Sequence, residues 1–206
     1  MISLLIDTCT NNVVIGLLKE NEIIDQKIDF NDKNLSTNFV PMVDELLKKN
    51  NIKPTDVNKI FVSIGPGSFT GIRVGVTFAK VMAWSLNIEI IPFSSLELIA
   101  SSSSEQIIVP LIDARRGYVF GGIYDQNLNV LLPDQYIPLE NLVNQAKIYS
   151  NSVFVSLDSF EIPTVMPSVD IRKLVAKHSN DIGVNPHALN PNYLKKTEAE
   201  EKLNGE

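Results

Sequence analysis

Two stretches of this chain repeat one another at a single offset, and that echo narrows the folds open to it more than any other feature. Leu5 to Asn21 reads LIDTCTNNVVIGLLKEN and Leu111 to Asn127 reads LIDARRGYVFGGIYDQN. At a spacing of 106 residues, Asp7 to Asp113, six of 17 positions are identical without a gap. Each copy is an apolar run ending at an Asp, a short polar loop, a second apolar run and a polar turn into a third, which is the pattern of a three-stranded meander. An amphipathic helical pattern follows each: Phe39, Val43, Leu46 and Leu47 in the first, Leu139, Leu142, Val143 and Ala146 in the second. A further strand comes next, KIFVSI and then VFVSL. A unit that occurs twice must fold twice to one plan, so the expected architecture is α/β, with two ββαβα-type lobes and the second shortened.

The helix predicted in SLELIASSSSEQ runs into four serines, Ser101 to Ser104, and marks the boundary. Residues 1–104 are expected to form the first lobe and 105–190 the second, with one more helix around Asp170 to Lys177; a polar tail occupies 191–206. Pro41 either sits in the first turn of its helix or kinks it. Two lobes on mirrored hairpins are similar in plan to actin, sugar kinases and acetate kinase, a duplicated actin-like ATPase fold. That likeness implies an interlobe cleft in which ATP lies, gripped by two turns, here Asp7-Thr8-Cys9-Thr10 and Asp113-Ala114-Arg115-Arg116-Gly117. A shared plan does not establish a shared activity.

Residues 63–86, SIGPGSFTGIRVGVTFAKVMAWSL, bring three glycines close together at 65, 67 and 71. A P-loop requires Gly-Lys at the end of its motif, which is absent, and the third glycine arrives one residue late for a dinucleotide fingerprint. A sharp strand-to-helix turn with Ser68 or Thr70 as N-cap fits better. The free N–H groups of the helix start still offer an anion contact at Ser68 to Thr70. At about 100° per residue, Arg73, Thr77, Lys80 and Trp84 fall in one stripe and nearly all the rest is apolar or glycine. A helix lying on one sheet buries little more than ~100° of its circumference, so this one is expected to meet two surfaces. Gly71, Gly75, Ala79 and Ala83 form a small-residue ridge suited to a second helix, flanked by Val74, Phe78, Val81 and Met82. That second helix is either the Phe39–Leu47 helix of the same lobe or another polypeptide.

With 44% apolar and 20% charged residues the chain can bury a substantial core. It shows no signal-peptide order and no membrane-spanning run, so a cytoplasmic location is expected. A formal charge of −6 is the wrong sign for a free-standing nucleic-acid binder, so any RNA is expected to be held by something else. Cys9 is the only cysteine, which excludes an internal disulfide, and His178 and His187 lack a metal-binding spacing.

Taken together, GPGSFTGIRVG after an apolar strand, LLIDTCT at the amino terminus, IDARRGYVF past mid-chain and NPNYLKK near the end resemble the TsaB family, also called YeaZ, along essentially the whole chain. The resemblance implies a non-catalytic partner of TsaD, the paralogue that transfers threonylcarbamoyl to the adenosine beside the anticodon of ANN-decoding tRNAs. A small ATPase, TsaE, is the third component, tRNA is reached only indirectly, and homodimers also form. The paralogue's metal-binding histidines, four apart on its first helix, correspond to the stretch Leu35-Ser-Thr-Asn-Phe39, so no metal, no required cofactor and no catalytic residue is expected here. The implied partner surface carries over to Phe39, Met42, Val43, Gly71, Val74, Gly75, Phe78 and Met82.

Other residues keep two readings. Asp7 and Asp113 either manage cleft phosphate and its metal or cap their turns, with capping favoured. Thr8, Ser68 and Arg115 are candidate cleft contacts, although Arg115 and Arg116 can equally be solvated. The rival functions are an ATP-using phosphotransferase working through the cleft and a peptidase; for the latter no G-x-S-x-G elbow supports Ser68. KKTEAEEKLNGE is expected to be a mobile charged tail.

Overall fold

In a computed structural model, which describes residues 1–30 and 34–195, the echo becomes two sheets of one design. Strands β1 (Ile2–Asp7), β2 (Asn12–Lys19) and β3 (Glu22–Phe30) form an antiparallel meander, followed by helix α1 (Leu35–Lys49) and a 3-10 turn at Pro54–Asp56. Strand β4 (Lys59–Ser63), helix α2 (Phe69–Leu86), strand β5 (Glu89–Phe93) and helix α3 (Ser95–Ala100) complete the first lobe. β4 lies parallel to β1 and β5 parallel to β4, so the order is β3-β2-β1-β4-β5. The second lobe repeats this with β6 (Ile107–Asp113), β7 (Tyr118–Asp125), β8 (Val130–Pro138), α4 (Leu139–Ala146) and β9 (Ser152–Ser156), in the order β8-β7-β6-β9, before α5 (Ile171–Lys177). β2 and β7 occupy positions 106 residues apart along their whole length, as do Asp7 and Asp113, each the last residue of its strand. This is the duplicated actin-like α/β plan.

Burial explains the sequence runs. β1 and β4 are central and covered on both faces, so LLID and KIFVS are continuous rather than alternating. One core lies between the first sheet and α1 with α2, another between the two sheets around α3 and α5, and a third under α4. Every residue of α3 is buried. Its N-cap Ser94 donates a short hydrogen bond to Asp134, which also accepts from the Tyr124 hydroxyl at 2.6 Å. Lower on α3, Glu97 meets Lys177 at 2.9 Å and His178 at 3.0 Å. The lobes are therefore riveted by side-chain networks and not merely by apolar contact.

Two details refine the sequence reading. Pro41 is the seventh residue of α1, past its first turn, on the exposed side where its missing N–H leaves no buried carbonyl unpaired at that position. The segment expected to divide at residue 190 into second lobe and polar tail instead returns to the first lobe. Val184 N–H bonds Ile90 O at 2.9 Å, and Asn192 N–H bonds Ile64 O at 2.7 Å. Residues 196–206, which include most of the expected charged tail, lie outside the described residues.

Candidate functional site

The glycine turn decides where α2 goes. Gly65 has φ of +109° and Gly67 of +148°, and a Cβ on Gly67 would stand 2.0 Å from Cys9 O. Only glycine turns the chain there, and it does so by leaning on the β1–β2 loop. Ser68 is the N-cap, its Oγ accepting from Gly71 N–H at 3.2 Å, while its own N–H bonds Cys9 O at 2.6 Å.

From this start α2 meets the rest of the chain along most of its circumference. The small-residue ridge faces its own sheet: a Cβ on Gly71 would lie 1.9 Å from Thr8 O, and one on Gly75 2.4 Å from Thr8 Oγ1. Gly71 and Gly75, expected at a partner surface, are buried inside the first lobe. The polar stripe is engaged by the returning carboxy-terminal segment. Arg73 Nε donates to the Tyr193 hydroxyl at 2.8 Å, Lys80 Nζ donates to Leu189 O at 2.8 Å, and Trp84 sits edge-on to His187 at 6.1 Å. A third side packs on α1, where Phe39 and Phe78 meet edge to face at 5.3 Å.

One strip remains uncovered, and it is apolar. Val40 is 55% exposed, Val81 59% and Trp84 64%, with Val74 and Phe78 half-buried beside them. Val40, Phe78 and Val81 together line two adjoining hollows of about 530 Å³ and 610 Å³ along the α1–α2 seam. Of the other residues expected there, Phe39, Val43 and Met82 are buried and line the floor, while Met42 is buried outside both hollows. Val40 was missed because it falls off the Phe39, Val43, Leu46 and Leu47 stripe of α1, and Trp84 because it lies in the polar stripe; the apolar spacing of Val74, Phe78 and Val81 was the available signal.

The interlobe cleft is a separate hollow of about 510 Å³. Ser68, Asp113 and Arg115 line it, with Phe69, Asp158 and Lys195. Asp113 Oδ1 accepts Arg115 N–H at 2.9 Å, and Asp158 accepts Asp113 N–H at 2.8 Å, so both carboxylates brace loops. Asp7 and Thr8 do not line it. The Thr8 hydroxyl donates to Gly71 O at 2.7 Å. Asp7 is buried, its Oδ1 accepting Cys9 N–H at 3.2 Å, and burial pushes its carboxyl above the usual range against the hydrogen bonds of Ser63 and Cys9. The Cys9 thiol, 3.0 Å from Ser63 Oγ, is held well up by burial and then by the charge of Asp7, the setting of an unreactive thiol. Among the described residues no cluster of His, Cys, Asp and Glu is arranged to hold a metal, and no helix is long and apolar enough to cross a membrane. His178 is committed to Glu97 and Asp181, and His187 lies beside Trp84, so neither histidine is placed as a base for Ser68.

Comparison with known proteins places this geometry in a lineage. A family model described as "TsaD: tRNA N6-adenosine threonylcarbamoyltransferase" matches residues 23–176. The Bacillus subtilis tRNA threonylcarbamoyladenosine biosynthesis protein TsaB is 35% identical over 223 aligned positions, covering 98% of this chain and 97% of that one. The Escherichia coli protein of the same name is 28% identical over 130 positions, 61% of this chain and 56% of its own. The structure of YeaZ from Pseudomonas aeruginosa superposes with a TM-score of 0.79 at 20% identity, covering 94% of this chain and 99% of that one, which shows a common fold.

Proposed function

Since this chain belongs to the TsaB family, which serves tRNA threonylcarbamoyladenosine biosynthesis, we propose that it is a non-catalytic subunit whose α1–α2 face docks a TsaD-like catalytic paralogue. The observation that carries the reading is the uncovered apolar strip of Val40, Phe78 and Val81 on a helix otherwise engaged by its own chain. A soluble lobe gains by covering such a strip, and a paralogue built on the same duplicated plan presents comparable helices to cover it. In this reading the subunit works in the cytoplasm, a TsaE-like ATPase completes the assembly, and the same face allows a homodimer when the paralogue is absent. Most of the tRNA is held by the partner, in keeping with the −6 charge.

The phosphotransferase rival draws little support from the cleft, where Asp113 and Asp158 are spent on loop hydrogen bonds and Asp7 is turned inward. The test is co-purification with the catalytic paralogue. A one-to-one complex that Val81→Asp abolishes, in a subunit whose unfolding is unchanged, supports the docking face; a complex indifferent to Val81→Asp refutes it.

A further inference from the structure

The tip of the second-lobe hairpin carries chemistry that neither the docking face nor the loop bracing uses. Arg115 and Arg116 have φ of +68° and +55°, and the tip is pinned by Tyr118 N–H to Arg115 O at 3.1 Å and Leu139 N–H to Gly117 O at 3.0 Å. Both side chains are exposed, and among the described residues neither makes a hydrogen bond or an ion pair. Other cations are engaged: Lys27, Lys49, Lys59 and Lys177 all sit in ion pairs. Beside the tip, Tyr118 stacks on Tyr136 with centroids 4.7 Å apart and planes at 18°, and Lys195 Nζ lies 5.3 Å from the Tyr136 ring. Tyr118 is 37% exposed, so the stack ends at solvent.

We propose that Arg115, Arg116 and the Tyr118–Tyr136 stack form a contact for an unpaired RNA strand. A base continues the aromatic stack, and its flanking phosphodiesters meet the two guanidiniums. Charge decides against a free triphosphate in the neighbouring cleft, where Arg115 and Lys195 are offset by Asp113 and Asp158. At the tip Arg116 adds a positive charge beyond those that Asp113 and Asp158 offset, and that suits one or two phosphodiesters. That the occupant is RNA rests on the tRNA-modification reading; the site's geometry does not. A contact this small agrees with an acidic chain that leaves most of the RNA to a partner.

The test uses the full chain and a short, unstructured, fluorescein-labelled oligoribonucleotide, followed by anisotropy from about 50 to 200 mM salt. Saturable binding is expected, with log K falling against log salt at a slope of about −1.4 for two phosphates. Arg115→Ser with Arg116→Ser is expected to bring that slope close to zero. Tyr118→Ala is expected to weaken binding about fivefold or more with the slope kept, and Tyr118→Phe to restore it. Far-ultraviolet circular dichroism verifies that each variant is folded. No saturable binding, wild-type affinity and slope in the variants, or displacement of the RNA by equimolar magnesium-ATP would each overturn the assignment. Co-purification with the catalytic paralogue does not depend on this tip, so a failure here stays distinct from a failure of the docking face.

Discussion

Thr8 holds Gly71 from two directions: its hydroxyl donates to the Gly71 carbonyl at 2.7 Å, and its own carbonyl oxygen stands 1.9 Å from where a Gly71 Cβ would be. The end of β1 and the first turn of α2 are in backbone contact, which only glycine permits. Gly71→Ala is therefore expected to destabilise the chain by about 3 kcal/mol, because backbone must shift. Gly75→Ala, meeting a side-chain hydroxyl at 2.4 Å, is expected to cost about 1–2 kcal/mol. Urea midpoints at unchanged slope measure both. Gly75→Leu, which brings more bulk against Thr8 and Ile6, is expected to cost more than Gly75→Ala.

Val81→Asp places a carboxylate on the uncovered strip, where the free subunit tolerates it in water and a docked one does not. Complex formation with the paralogue is expected to weaken by about 2–4 kcal/mol, roughly 30- to 1,000-fold in Kd. The unfolding midpoint of the isolated chain should move by less than about 0.5 kcal/mol. Calorimetric titration and urea melts read the two quantities separately.

Glu97 and His178 make stability depend on pH. Burial pushes Glu97 up, but the hydrogen bond and charge of His178, then those of Lys177, outweigh it and hold the carboxyl below its usual value. Burial pushes His178 down, but Glu97 and Asp181 outweigh it and hold the imidazolium above its usual range. The raised histidine contributes fully below its unfolded value of about 6.5 and loses that contribution as pH rises through the folded value. The lowered glutamate contributes above about 4.3 and loses it as pH falls. The pair is expected to stabilise most between about pH 4.5 and 6.5. The urea midpoint should fall from about pH 6 to 8, and His178→Gln should flatten that fall.

The carboxy-terminal return is clasped by Tyr193, whose ring lies 4.7 Å from Phe69 and whose hydroxyl accepts from Arg73, a guanidinium 3.9 Å above the Phe69 ring. Tyr193→Ala is expected to cost about 1–2 kcal/mol and to expose Lys195 to trypsin. Equal cleavage rates in variant and wild type would show that the clasp does not hold the segment. Tyr193→Phe, which keeps the ring, should lie between the two.

The echo of Leu5–Asn21 in Leu111–Asn127, the strand ends at Asp7 and Asp113, a cap at Ser68 or Thr70 and the glycine turn were legible in the residues themselves, because strand alternation, helical period and turn chemistry are local. Such signals give the angular spacing of side chains around α2 but not how the helix is rotated on its sheet. Gly71 and Gly75 face β1 because Thr8 reaches them across 63 residues of chain. Val40 and Val81, from different helices, line one seam only because α1 and α2 lie side by side. Thus the amino-acid order by itself determined the two lobes, their elements and the apolar excess of α2. Tertiary packing alone decided which of its faces is left for a partner, since contact between residues distant in sequence depends on how rigid elements settle against one another.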